Sequence, residues 1–279
     1  MKKILGLVLV AGLVLALGGC ATMRFAGHTT VRGNREVTTQ ATYIDVAVGG
    51  AEGPFSLEFR GFSIQNFTPV LIIDERLADE LGAAVVVETD ENLLEHIHVF
   101  YTGRGMISIR SDDNTRLFPS QLRISIGLPI DELRAGGAWQ VTVNCTRVED
   151  FRANLSGAAR GEFQLGEVNR LELTGSGSSR LTVRADAEDA RITLSGSARA
   201  NLNGSTERMD LRVSGSGSMN AFGFAAQRVE VNVSGSGSAD VYAAEEIDAR
   251  ASGSGRVTYA GDPTTMRQST SGSARIRAR

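Results

Sequence analysis

LELTGSGSSRLTV (Leu171–Val183), ITLSGSARANL (Ile192–Leu202), LRVSGSGSMNA (Leu211–Ala221) and VNVSGSGSADV (Val231–Val241) are variants of one pattern. Two apolar residues alternate with polar ones, a Ser or Thr and a Gly-Ser run follow, and a further apolar residue closes the unit. Anchoring each copy on the Ser/Thr after its apolar pair gives Ser156, Thr174, Ser195, Ser214, Ser234, Ser252 and Ser271. The steps are 18, 21, 19, 20, 18 and 19 residues. The pairs sit one and three positions before most anchors, as in Leu171/Leu173, Ile192/Leu194, Leu211/Val213 and Val231/Val233. About seven residues after it stand Phe163, Leu181, Leu202, Ala221, Val241 and Tyr259.

A unit of some twenty residues cannot close a core alone, so copies must stack and bury each other's apolar edges. Period-2 spacing puts both residues of a pair on one face of a strand, and no run here has helical spacing. Glycine supplies the left-handed corners of a tight coil. The expected fold is all-β, a parallel β-helix with three short strands and three corners per coil. Its serines would form hydroxyl ladders between coils, and seven coils at roughly 4.8 Å give a rod of roughly 34 Å. Toward the C-terminus the apolar pair fades to Ala249/Ala251 and then Gln268/Thr270. The alternation Arg275, Ile276, Arg277, Arg279 reads as a charged cap over an otherwise aggregation-prone edge.

At the other end, Lys2 and Lys3 precede an apolar run, Ile4 to Leu17, too short for a comfortable membrane span. The run ends Leu17-Gly18-Gly19-Cys20, which resembles the bacterial lipoprotein signal, or lipobox. That resemblance implies cleavage after residue 19 and diacylation of Cys20, so that the membrane itself is a partner through the lipid. Ala21 rather than Asp follows, which favours the outer membrane where a cell has two. Residues 20–35 are read as a tether, and 36–279 as one continuous domain, irregular over 36–145 and regular over 146–279. The net charge is -3, and -5 without Lys2 and Lys3, which argues against nucleic acid. With Cys20 lipidated, Cys145 stands alone and reads as a core residue.

In the irregular half, strand-like runs fall at 43–48, 55–59, 70–73, 84–88, 98–101, 106–110 and 122–128, and a last one at 140–143. A short helix is expected over Asp74–Leu81 with Asp74 as N-cap, and a helical turn over Glu91–His96. Val86-Val87-Glu-Thr-Asp90-Glu-Asn-Leu93-Leu94, followed by an apolar strand and Gly105-Met-Ile-Ser-Ile109, resembles the opening of the head GIN domain family, which carries an auto-transporter adhesin label. The later Leu-x-x-Ser-Gly-Ser coils are similar too, so the resemblance runs from about Tyr43 to the C-terminus. It implies a right-handed, single-stranded β-helix on the bacterial envelope. The Asp74–Gly82 stretch is longer than the family's first turn. No translocator-barrel pattern follows, so literal self-transport is not expected.

Chemistry is hard to place. His28 falls in the tether, and His96 and His98 have no His, Cys or carboxylate partner in the sequence at metal-ligand spacing. The serines lack a nucleophile-elbow context, and the repeats lack histidine. The Gly-Ser runs lead into no helix and no Gly-Lys-Ser/Thr, so a phosphate loop is not indicated. No cofactor is expected. Asp186, Glu188-Asp189, Asp240 and Glu245-Glu246 are the carboxylates that a polysaccharide-active enzyme would use, and they read more simply as solvated corners. Phe163, Phe222, Phe224, Tyr242 and Tyr259 recur at similar phase: outside they would form an aromatic binding strip, inside they are core, and the core placement is favoured. The function expected is a non-catalytic envelope lipoprotein whose β-helix binds a surface glycan or protein. The alternative is a periplasm-facing structural or signalling accessory.

Overall fold

The computed structural model describes residues 29–43, 55–81, 84–101, 105–146 and 148–279. The segment 1–28, with Cys20 and His28, and most of the run 43–48 lie outside them. The described chain is a parallel β-solenoid of about seven turns. Its regular half consists of β13 (Asp150–Leu155), β14 (Arg160–Gly175), β15 (Arg180–Leu194), β16 (Arg199–Gly215), β17 (Ser218–Gly235), β18 (Ser238–Ala251), β19 (Arg256–Ala260), β20 (Thr265–Thr270) and β21 (Arg275–Ala278). Successive coils pair in parallel, 17 to 20 residues apart. The three short strands per coil do not appear. In the central coils the hydrogen-bond ladder runs on through the other bends, leaving single strands of 14 to 18 residues broken only at the Gly-Ser turn.

That turn is a stacked glycine column. Gly157, Gly177, Gly196, Gly215, Gly235, Gly253 and Gly272 all have φ between 69° and 87°. The N–H that follows each one donates to the glycine carbonyl one coil earlier at 2.7–2.8 Å, beginning with Ala158 on Gly137. A Cβ on any of the seven would lie 2.7–3.0 Å from that same carbonyl oxygen. Glycine is therefore demanded twice, by backbone conformation and by close approach. The stacking is peptide to peptide rather than through the expected hydroxyl ladder; the Ser179 hydroxyl is buried without a partner. The column also corrects the repeat register. The second anchor is Ser176, not Thr174, because Thr174 pairs with Thr193 and Gly175 with Leu194. Gly175 holds the place of an apolar residue, and the side chains of Leu181 and Leu194 crowd the space its Cβ would take.

The inward residues of these strands form continuous columns. Val143, Phe163, Val183, Leu202, Ala221 and Val241 follow one another up one wall, and Phe151, Leu171, Ala190, Met209, Val229 and Ile247 up another, all buried. Burying such a side chain stabilises by about 1.5–3 kcal/mol, an upper figure because the unfolded chain is itself partly compact.

The irregular half extends the same walls. β12 (Gln140–Cys145) continues through β5 (Val70–Asp74) and β10 (Leu122–Ile126), both in parallel, and then antiparallel through β6 (Ala84–Asp90) to β2 (Val37–Tyr43). β13 continues through β11 (Ile130–Ala135), β3 (Phe55–Arg60) and β8 (Met106–Ser111) to antiparallel β7 (Ile97–Tyr101). Antiparallel strands thus finish the N-terminal end. A small separate sheet joins β9 (Thr115–Phe118) to β4 (Ser63–Ile64) and β1 (Thr29–Arg32), so part of the segment read as tether is a paired strand. The expected helix is a 3-10 turn, Glu75–Leu77, capped by Asp74 and followed by one α-turn, α1 (Ala78–Leu81); Glu91–His96 is likewise 3-10.

Candidate binding faces

The aromatic residues do not form one exposed strip. Phe163 and Phe224 are fully buried, because the same period-2 register that repeats them turns them inward. Tyr259 packs against the core at the end of the Phe163 column. Phe222 and Tyr242 are half-buried at a bulge of the β17–β18 pairing, and the Arg279 guanidinium lies 4.7 Å from the Phe222 ring centroid. Of the five, Phe222, Tyr242 and Tyr259 thus keep some exposed ring, without forming a continuous strip.

The carboxylates divide between places, Asp186 and Glu188 in one groove and Asp189 in another. Asp186 accepts a hydrogen bond from the Ser205 hydroxyl at 2.6 Å and lines a groove with Glu149, Glu167, Glu188 and Glu207. Asp189 lines a different cleft, where Arg208 grips it through Nε and Nη2 at 2.5 and 2.8 Å. That grip holds the Asp189 carboxyl below its usual range, the reverse of what a proton donor needs. Glu246 pairs with Arg267 at 2.7 Å, Glu245 lies 3.9 Å from Arg228, and Asp240 stands in the column between Asn220 and Thr258.

The cleft holding Asp189 has a volume of about 550 Å³ and is built by register. Strands of successive coils lie about 4.8 Å apart, so each outward residue meets its counterpart directly above and below. One column reads Asp150, Arg170, Asp189, Arg208, Arg228, Glu246; the next reads Arg152, Glu172, Arg191, Asp210, Glu230, Asp248, Arg267. Signs mostly alternate, and close pairs result within the columns: Arg152–Glu172 at 2.9 Å, Arg191–Asp210 at 3.4 Å, Arg208–Asp189 at 2.5 Å. Alternation fails at Arg208/Arg228 and at Asp210/Glu230/Asp248, side by side in mid-cleft. Among the described residues, Arg228 there is held only by the 3.9 Å contact to Glu245.

In the irregular half the sequence missed a partner. Asp112 joins the two histidines, His96 Nδ1 at 2.7 Å and His98 Nε2 at 2.6 Å, and these bonds lower its carboxyl pKa. The β7–β8 hairpin register brings 111–112 opposite 96–97, a proximity that spacing along the chain does not reveal. Among the described residues no group of His, Cys, Asp and Glu could hold a metal ion. Cys145 is fully buried, and desolvation pushes its thiol up to about 11, which suits the core reading.

The Asp-Glu-Asn-Leu-Leu turn has a structural job. Asp90 is buried and accepts bonds from Arg35 N–H at 2.7 Å and from the N–H and hydroxyl of Ser120 at 2.6 Å each. Burial alone would raise its pKa, and these donors outweigh it, leaving the carboxyl lowered. Asn92 accepts from Asn34 N–H and donates to Arg32 carbonyl, and Leu93 fills the core. A Cβ at Gly33 would strike the Asp90 carboxylate at 2.2 Å. The motif clasps the 32–35 segment onto the domain.

Solenoid, turn and coil pattern define a class, the parallel β-solenoid domains. The chain belongs to the family described as "Putative auto-transporter adhesin, head GIN domain", whose pattern matches residues 76–263. Among solved structures it is similar to a "putative adhesin" from Parabacteroides merdae, with 19% identity and a TM-score of 0.74 over 90% of this chain and 99% of that one. A "putative lipid binding protein" from Parabacteroides distasonis gives 20% identity and 0.71 over 90% and 100%. A "putative adhesin" from Bacteroides fragilis gives 15% and 0.58 over 89% and 100%. At these identities the likeness concerns the fold. Among curated proteins none matches.

Proposed function

We propose that this chain is a non-catalytic lipoprotein of the cell envelope, a rigid solenoid held to the membrane by lipid on Cys20 that presents its outer sheet faces to a surface polymer or protein. The observation that carries the reading is the in-register outer wall. Side chains repeated at fixed spacing along a rod suit an extended ligand, while Asp189 and Glu246 are held by arginine and Asp240 stands apart from the groove that Asp186 shares with Glu188. The adhesin label of the family supports the binding reading, and the Leu17-Gly18-Gly19-Cys20 sequence supports the anchor.

The test uses the full-length chain in bacterial cells fed an alkyne analogue of palmitate. Wild type takes up the label and partitions with membranes, preferentially outer ones in a two-membrane host, while Cys20→Ala is unlabelled and soluble. Cells carrying the wild-type chain also bind more envelope polysaccharide or partner cells than cells carrying the Cys20→Ala variant. An unlabelled wild type, or binding that ignores the chain, overturns the proposal.

A further inference from the structure

The wall opposite in phase to the charge-paired cleft lacks the alternation of sign that mostly holds in the cleft. Three residues after each column glycine the next strand begins, and those positions read Gln140, Arg160, Arg180, Arg199, Ser218, Ser238, Arg256 and Arg275. Arg160, Arg180 and Arg199 therefore stand in register on three consecutive coils, and Arg256 on Arg275 at the far end. All five are exposed, and none of them has an ion-pair partner among the described residues. The same protein alternates signs on its other wall, so the run is not forced by the fold. In-register like charges directly opposite each other are destabilising.

The surroundings are polar and short of acid. Two residues further along each strand stand Glu162, Thr182, Asn201, Asn220 and Asp240, and beyond the first of these Gln164, Arg184 and Asn203. Glu162 is the one carboxylate beside the Arg160–Arg199 stack, and Asp240 sits beside the serine gap. From Arg160 to Arg275 is six coil steps, roughly 29 Å. The two basic stacks are separated by the small side chains of Ser218 and Ser238.

We infer that this arginine ladder is the docking surface for a linear acidic polysaccharide lying along the solenoid axis, its carboxylate, sulfate or phosphate groups on the guanidiniums and its hydroxyls on the Asn, Thr and Gln rows. Guanidinium forks suit such oxyanions, and a repeating rod suits a repeating chain. The inference rests on the binding-protein reading above and names its ligand class.

The experiment measures binding of the full-length, detergent-solubilised chain to immobilised polyuronate, sulfated glycan, phosphate-bearing glycan, an uncharged glycan and duplex DNA, at low and high salt. Wild type binds at least one acidic glycan and not the uncharged one, more weakly as salt rises. Arg160→Gln/Arg180→Gln/Arg199→Gln weakens binding at least about tenfold, and the Lys triple variant retains a substantial part of it. The Gln variant keeps or raises its thermal midpoint, since it removes unpaired like charges. A lower midpoint would mark the arginines as structural and overturn the inference. Duplex DNA bound as tightly as any glycan would overturn the glycan assignment. Undiminished binding of cells or envelope polysaccharide by the Gln variant would remove the ladder while leaving the binding reading intact. A wild type that binds neither glycan nor cells would remove both.

Discussion

A single added methyl is the sharpest probe of how the coils meet. Gly137 has φ +98° but its Cβ would find nothing closer than Trp139 at 3.9 Å, whereas Gly235 has φ +85° and a Cβ 2.7 Å from the Gly215 carbonyl oxygen. Gly137→Ala should therefore cost only the left-handed strain, about 1–2 kcal/mol. Gly235→Ala adds overpacking and should cost roughly 2–5 kcal/mol; equal losses in chemical denaturation would refute the close-approach account. Asp90 is the second residue-scale case. Its carboxyl is held below the ordinary value of 3.8, so its contribution is present above that value and is lost as pH falls through the folded pKa. Asp74, Asp112 and Asp189 are lowered too and act in the same direction. Asp90→Asn should destabilise at pH 7 by roughly 2–4 kcal/mol and lose less than wild type on acidification, as denaturation at pH 7 and pH 3 would show.

For the strands, the decisive quantity is charge order along a column. Asp189→Lys would set four consecutive cations, positions 170, 189, 208 and 228, in one column. It should lower the thermal midpoint at low salt, and about 1 M salt, where the screening length is about 3 Å, should restore most of the loss. A midpoint insensitive to salt would mean that the ladder is decorative. At this scale the sequence is legible only in part. The apolar pairs and Gly-Ser runs sufficed for a parallel solenoid, because period 2 and a fixed repeat have few other solutions. They misplaced one coil, since Thr174 and Ser176 both precede glycine and only the Thr174–Thr193 pairing separates them. β1, β2, β4, β9 and β11 passed unseen: short runs rich in Thr, Ser or charge carry little periodicity. The Asp90 clasp was visible as a motif and opaque as a mechanism, because its donors, Arg35 and Ser120, lie 55 and 30 residues away. Asp112 between the histidines was hidden for the same reason.

At the scale of the molecule, stability in a stacked array is the sum of each coil and its two interfaces. The last coil has one interface. β20 is exposed along its length, Met266 is 54% exposed, and Ile276 is only partly covered. Amide exchange should accordingly be fastest in β20 and β21 and slowest in β14 to β17; uniform protection would contradict a nearest-neighbour solenoid. The N-terminal end, closed by antiparallel strands and the Phe59–Phe62–Trp139 aromatic cluster, should not fray comparably. Stacked, hydrogen-bonded coils should resist proteases, so cleavage is expected toward the proposed Cys20 anchor. The central claim, a solenoid presented on the envelope for binding, is thus tested most directly by treating intact cells with protease and probing with antibody against the repeats, with lysed cells as control. The account predicts that intact cells release the solenoid as one large fragment and lose their antibody signal. A chain that stays whole until lysis would contradict display at the surface.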